Sequence, residues 1–260
     1  MIKAAFFDID DTLVSLKTKV YPPSAREAIA RLRARGVKCF VATGRSKFEI
    51  QGERLLEGME FDGFLTNNGQ DAYDPQGALL YGKPIEPADV TAVLDWAEEH
   101  GLPCWMVSAD QSIVNFVDDR VLAAMESIHT APPPVGDLRA MAATPVFKIV
   151  LFLDREEMRE PIALAPHSRA TQWFAQGHDL ISKDGGKRAA MLDILAHLGL
   201  APEEAIAFGD SENDLEMIRA AGIGVAMGNA TAQIKAAANY ITADCDEDGL
   251  QKALLHFGLI

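Results

Sequence analysis

Two aspartates one residue apart, Asp8 and Asp10, stand with Thr12 directly after the nearly all-apolar run Ile2–Phe7. Far along the chain a third carboxylate, Asp210, follows the apolar stretch Ala205–Phe208 within the run Gly209-Asp210-Ser211-Glu212-Asn213-Asp214. Between them, Thr43-Gly44 follows the apolar Val37–Ala42, and Lys187 opens an amphipathic stretch. In an open parallel sheet, ligands bind outside the carboxyl ends of the strands, so these groups would meet at one edge. A carboxylate nucleophile, a second acid, a hydroxyl, an ammonium and a third carboxylate form the set that phosphoryl transfer to a carboxylate requires.

The electrostatics add a demand. A phosphomonoester dianion repels Asp8, so attack requires that charge be neutralised. Mg²⁺ held by Asp8 and Asp210 would do this, bridging nucleophile and phosphoryl oxygen. Thr43 and Lys187 can hold the remaining oxygens, while Asp10 can protonate the departing alkoxide and later deprotonate water. Composition points the same way. Net charge is −14, and from Ala201 onward ten carboxylates face only Arg219, Lys235 and Lys252. A chain so acidic is a poor non-specific binder of nucleic acid or anionic membranes, and a polyanionic substrate would need a cation to approach it.

The elements that must position these groups alternate in type. Ile2–Phe7, Val37–Ala42 and Phe61–Thr66 read as strands. A helix lies between the first two, with Ser24 and Glu27 at capping-box spacing and Gly36 ending it. The rhythm returns late: helix Lys187–His197, strand Ala205–Phe208, helix Leu215–Ala221, strand Ile223–Met227, helix Ala230–Ala238 and strand Tyr240–Thr242. Strand–helix–strand alternation predicts an α/β fold, a doubly wound Rossmann-like parallel sheet. Between about Lys83 and Ile181 the pattern changes to helix Pro87–His100 and then close-set strands at Cys104–Val107, Ile113–Phe116 and Val146–Leu153. A further helix and short strands near Thr171–Phe174 and Asp179–Ile181 follow. This predicts an α+β domain over residues 83–182 inserted into a core of 1–82 and 183–260. Trp96, Trp105, Trp173 and the run Val146–Leu153 are expected in the insert's core.

The motifs together resemble those of the haloacid dehalogenase (HAD) superfamily. Phe7-Asp8-Ile9-Asp10-Asp11-Thr12-Leu13 resembles its DxDxT motif, Ala42-Thr43-Gly44-Arg45 its second motif, Lys187 its third and Gly209–Asp214 its fourth. The tail from Ala221 to Ala230, with Asp246-Glu247-Asp248-Gly249, is similar to that of the Cof-type, subfamily IIB sugar-phosphatase branch. In that branch a C2-type α/β cap lies between the second and third motifs. The resemblance implies Asp8 as nucleophile and Asp10 as acid/base. It implies Mg²⁺ on Asp8, the Asp10 backbone carbonyl and Asp210, with Asp214 supporting the metal. Thr43, Gly44, Lys187 and Asn213 would bind phosphate. Three positions depart from the pattern. Asp11 stands where Gly is common and is expected to point away from the metal. Arg188 stands where a small Gly is common, leaving Lys183 as an alternative to Lys187. Cys245 replaces a frequent Asn.

The expected activity is hydrolysis of a small phosphorylated metabolite, a sugar phosphate first, through an aspartyl-phosphate. The alternatives are a phosphomutase of the phosphomannomutase type and a non-catalytic phosphometabolite-binding protein. A receiver domain is disfavoured, because it places its acidic pair before the phosphorylated Asp. Asn67-Asn68-Gly69 reads equally as a substrate-facing loop or a plain turn. Cys39, Cys104 and Cys245 are odd in number and scattered, and the six histidines show no ligand spacing, so neither disulfides nor zinc are expected. With no apolar run long enough to span a bilayer, a cytoplasmic monomer or weak homodimer is expected.

Overall fold

In the computed structural model, which describes residues 1–127 and 130–260, the first apolar run forms strand β1 (Ala4–Phe7), buried on both faces. Its two phenylalanines point to opposite sides. Phe7 stacks on Phe208 at 5.1 Å between ring centroids, and Phe6 stacks on Phe40 at the same distance. Successive side chains of a strand alternate faces, so β1 anchors two separate hydrophobic layers. Next come α1 (Pro23–Ala34), β2 (Lys38–Ala42), α2 (Lys47–Gly52), β3 (Gly63–Thr66), β4 (Asp71–Tyr73) and β5 (Leu79–Gly82).

An intervening segment contributes α3 (Pro87–Glu99), β6 (Cys104–Ser108), β7 (Ser112–Val114), α4 (Asp119–Ser127), α5 (Leu138–Met141), β8 (Val146–Leu151), α6 (Arg159–Leu164), β9 (Ser168–Phe174) and β10 (Gly177–Ser182). The chain then runs through α7 (Lys187–His197), β11 (Ala205–Gly209), α8 (Leu215–Ala220), β12 (Ile223–Ala226), α9 (Ala232–Ala237), β13 (Tyr240–Ile241) and α10 (Gly249–His256). Two compact units result: Met1–Tyr81 with Gly186–Ile260, and Gly82–Gly185.

The first unit holds an eight-stranded sheet in the order β13-β12-β11-β1-β2-β3-β4-β5. From β13 to β3 every pairing is parallel, and β4 then turns back antiparallel on β3. On one face α1 and α10 bury Ala28, Ile29, Leu32, Leu250 and Leu254 against Phe7 and Phe208. On the other, α7 and α8 bury Met191, Ile194, Leu195 and Met217 against Phe6 and Phe40. Helices on both faces of a mostly parallel sheet make the doubly wound arrangement that the alternation predicts.

Strand order reverses around β1, whose neighbours are β11 and β2. The crevice at such a switch point is where polar groups after the strands converge.

Two local readings are corrected. Ser24 does not cap α1. The helix starts at Pro23 with Pro22 as its N-cap residue, and no side chain caps it; the Ser24 hydroxyl donates instead to Asp248. Proline in the first helical turn loses nothing by lacking an N–H there, so the start lies two residues earlier than a capping box would put it. The capping box occurs at α2, where the Ser46 hydroxyl accepts from the Glu49 N–H at 3.3 Å and Glu49 accepts from the Ser46 N–H at 2.7 Å. In addition, β4 and β5 extend the sheet beyond the strands read from sequence.

The second unit is a five-stranded antiparallel sheet, β7-β6-β8-β10-β9. Its core packs Val93, Leu94 and Trp96 of α3 with Leu138 and Met141 of α5 against Met106, Ile149 and Leu180. Helices α4 and α5 go beyond the two helices expected there. Trp105 is also buried, whereas Trp173 is half-buried on the edge strand β9. Among the described residues no helix is long and apolar enough to cross a membrane.

Candidate active site

Asp8 is the first residue beyond β1, and its N–H continues the ladder to Phe208 O at 3.1 Å. The chain then folds sharply back, with the N–H groups of Leu13 and Val14 both donating to Ile9 O at 2.9 and 2.8 Å. Ile9, Leu13 and Val14 are buried. Their burial pins the loop from below and leaves Asp8, Asp10 and Thr12 at the sheet edge. Asp11 takes a left-handed conformation (φ 55°), which Gly adopts freely and Asp tolerates. Its carboxylate accepts from the Leu16 N–H at 2.8 Å, so it holds the loop together.

Lys187, the first residue of α7, is buried, and its Nζ donates to Asp8 Oδ1 at 2.7 Å and to Asp214 Oδ1 at 2.6 Å. Lys183 is exposed and donates to Pro166 O at 2.7 Å. Asp214 is wholly buried, and its other oxygen accepts from the N–H groups of Asp210 and Ser211 at 3.1 and 3.2 Å. Both its oxygens are thus occupied by protein donors, which suits a group that orients Lys187 and the Asp210 loop. Gly209 permits this packing, since a Cβ there would overlap the Asp214 carboxyl.

Asp210 follows β11, and Thr12 donates weakly to its Oδ1 at 3.4 Å. Thr43 follows β2, is fully buried, and accepts from the Arg45 N–H at 3.1 Å. Gly44 lies beside it; a Cβ on it would stand 3.0 Å from Asn68 Oδ1. Asn213 reaches neither Lys187 nor Asp8. Its Nδ2 donates to Asn68 Oδ1 at 2.9 Å, and its Oδ1 accepts from Ser211 at 2.8 Å.

Two residues gain a place that spacing alone did not assign. Arg45 grips Asp10 with two parallel bonds, Nε to Oδ2 and Nη2 to Oδ1, each 2.9 Å, and its Nη1 reaches Glu53 at 2.9 Å. Such a fork fixes the carboxylate plane as well as its position. The available signal was a guanidinium directly after Thr43-Gly44, at a strand end neighbouring that of Asp10. Asn68 is the second, and nothing in its local sequence points to Asn213, which lies 145 positions away.

The charge balance favours a cation at this carboxylate cluster. Asp8, Asp210 and Asp214 each offer a carboxylate oxygen, and these oxygens all lie within 4.8 Å of one another. Burial raises the Asp8 carboxyl well above its usual range. Lys187 opposes the rise, while Asp214, Asp210 and Asp10 add to it. Burial, then Asp214, pushes Asp210 up to about 7 against the pull of Lys187. Burial works against the charge of Lys187 too, but Asp214 and Asp8 outweigh it and hold its proton more tightly than usual. One ammonium thus faces an excess of negative charge on hard oxygen donors, a donor set that fits a divalent cation of the Mg²⁺ or Ca²⁺ type.

The family model for haloacid dehalogenase-like hydrolases matches residues 5–254. The chain belongs to that family. A candidate phosphatase of Bacillus subtilis (strain 168), YkrA, is 31% identical over 259 residues, covering 99% of this chain and 98% of the relative. A candidate bifunctional phosphatase/peptidyl-prolyl cis-trans isomerase of Streptococcus pyogenes is 31% identical over 261 residues. This chain spans only 54% of that longer relative. Among solved structures, the HAD subclass IIB sugar phosphatase BT4131 is 35% identical with a TM-score of 0.84, covering 99% of this chain and 100% of that one. Apart from the Lys183–Pro166 bond, every contact described above lies within the first unit.

Proposed function

We propose that this HAD hydrolase is a Mg²⁺-dependent phosphatase of small phosphorylated metabolites, with sugar phosphates as the leading substrate class. The observation that carries this reading is the buried Asp8 carboxylate held 2.7 Å from Lys187 Nζ, with the Asp210 and Asp214 oxygens closing around it. A nucleophile so placed is oriented, and the phosphate it attacks meets an ammonium already in position.

Asp8 Oδ attacks phosphorus, and the ester P–O bond breaks. Asp10 gives its proton to the departing alkoxide. In the second half, Asp10 takes a proton from the water that attacks the aspartyl-phosphate, releasing inorganic phosphate and restoring Asp8. Lys187, Thr43, the Gly44 backbone and Asn213 hold the phosphoryl oxygens, while Asp214 orients Lys187. Mg²⁺ would be held by Asp8, the Asp10 carbonyl and Asp210, and when bound it neutralises phosphoryl charge and polarises the P–O bonds. Residues 83–182 are assigned the role of cap, which selects the leaving group, between core segments 1–82 and 183–260. The working form is proposed to be a cytoplasmic monomer or weak homodimer.

A panel of phosphate esters assayed with and without Mg²⁺ tests this. Phosphate release that chelation abolishes, and that Asp10→Asn abolishes with Mg²⁺ binding near normal, is the expected result. Isomerised sugar without phosphate release would show a mutase instead, and unchanged turnover in Asp10→Asn would overturn the proton assignments.

A further inference from the structure

The turn after β3 is held in an unusual conformation. Asn67, Asn68 and Gly69 are all left-handed, with φ of 50°, 59° and 73°. Consecutive residues there are disfavoured for L side chains and persist only where their surroundings over-determine them. Those surroundings are present. Buried Asp71 accepts from the Thr66 hydroxyl, from Asn67 Nδ2 at 3.0 Å and from the Tyr73 hydroxyl at 2.9 Å.

The turn is also wedged between two parts of the active site. The Asn67 and Asn68 N–H groups donate to Arg45 O and Thr43 O, each at 2.9 Å. On the other side Gly186 N–H donates to Gly69 O at 3.2 Å, and a Cβ on Gly69 would lie 2.5 Å from Lys187 N. A plain surface turn would have no need of such contacts.

From this wedge the Asn68 side chain meets Asn213. The Asn213 amide is held at both ends, its Oδ1 accepting from Ser211 and one N–H given to Asn68. A primary amide carries two N–H groups. The second has no protein acceptor among the described residues, and Asn213 is exposed, so a ligand can reach it.

We propose that Asn68 is a positioning residue that orients the Asn213 amide so that its remaining N–H binds the phosphoryl group, with the Asp71-supported turn holding Asn68 in register with Thr43 and Lys187. The proposal rests on the phosphatase reading for the identity of the ligand.

The test measures binding of inorganic phosphate to the full chain in the presence of Mg²⁺ by calorimetry. Asn68→Gly is the informative variant, because glycine adopts φ near 59° without strain and only the amide is lost. Asn68→Gly should weaken phosphate binding about tenfold, the scale of one oriented hydrogen bond, and leave the unfolding midpoint unchanged. Asn213→Ala should weaken it similarly, and the double variant should be no weaker than the worse single one, because both changes remove the same contact. Wild-type affinity in Asn68→Gly, losses that multiply in the double variant, or no phosphate binding by the wild type would each overturn the proposal. Ester hydrolysis is assayed separately: a wild type that binds phosphate but releases none from any ester refutes the phosphatase reading, and the binding series still decides the role of Asn68.

Discussion

Replacing Lys187 with methionine keeps most of the apolar stem and removes the charge. In the native site its Nζ lies 2.7 Å from Asp8 and 2.6 Å from Asp214, and all three side chains are almost fully shielded from water. Removing one partner of a buried ion pair leaves uncompensated buried charge and costs about 3–5 kcal/mol. Here two carboxylates are stranded, so the upper end of that range is expected for metal-free protein at neutral pH. The folded-state proton affinity of Lys187 is raised. Its stabilisation is therefore fully present below the pKa of an exposed lysine and is lost only as pH climbs through the higher folded value. Neutral pH lies inside that window. In Lys187→Met the stranded carboxylates can be neutralised by protons, so the loss should shrink on acidification to about pH 5.

Tryptophan fluorescence would miss this effect, since Trp96, Trp105 and Trp173 all lie in the second unit. Hydrogen exchange of β1 and β11 amides across a urea series, without metal, reads the right unit. An equal loss at both pH values, or a loss under about 1 kcal/mol at neutral pH, would refute the claim that Lys187 is the principal counter-charge of this site.

Arg45→Met should lower kcat at least about tenfold by releasing Asp10 from its fixed plane, while costing only about 1 kcal/mol of stability because Asp10 and Glu53 are partly solvated; steady-state kinetics and urea unfolding of the same sample check both halves. Metal binding should release protons below the Asp210 pKa of about 7, so Mg²⁺ affinity should rise as pH climbs towards that value. In metal-free protein the same raised pKa favours the folded state at low pH, so stability should fall as pH rises from about 3.8 to about 7, and saturating Mg²⁺ should abolish that fall. Calorimetry in buffers of different ionisation heat counts the protons. Asp11→Gly should retain activity and change stability by less than about 1 kcal/mol, because relief of the left-handed backbone offsets loss of the bond to the Leu16 N–H; a large loss of turnover would place Asp11 in the chemistry.

The doubly wound core was legible in the sequence because β1 and β11 are unbroken apolar runs and β2 is apolar after Lys38, each followed at once by a polar group. Strand ends can be read locally, and in a parallel sheet they share an edge, so Asp8, Thr43 and Asp210 could be expected near one another. The start of α7 at Lys187 was legible for a similar reason, since the apolar positions Ala190, Met191, Ile194 and Leu195 follow on one face. What escaped was set by contacts without a local signal. Three residues of β4 are too few to show a period, and α4 buries only Val121, Ala124 and Met125. The Ser24 and Glu27 spacing was right for a cap, but Pro23 had already set the helix start. The Arg45–Asp10 fork and the Asn68–Asn213 bond join separate strand ends, and only the folded sheet brings them together.

The proposed hydrolysis depends most on Asp8 forming a bond to phosphorus. Quenching the enzyme during turnover of a radiolabelled phosphate ester with Mg²⁺, then reducing with borohydride and mapping the peptides, tests it directly. An acyl-phosphate is reduced to the alcohol, so the account predicts label on the peptide containing Asp8 before reduction, homoserine at position 8 after it, and neither in Asp8→Asn. Active enzyme that carries label on another residue, or an Asp8→Asn variant that still turns over, would contradict it.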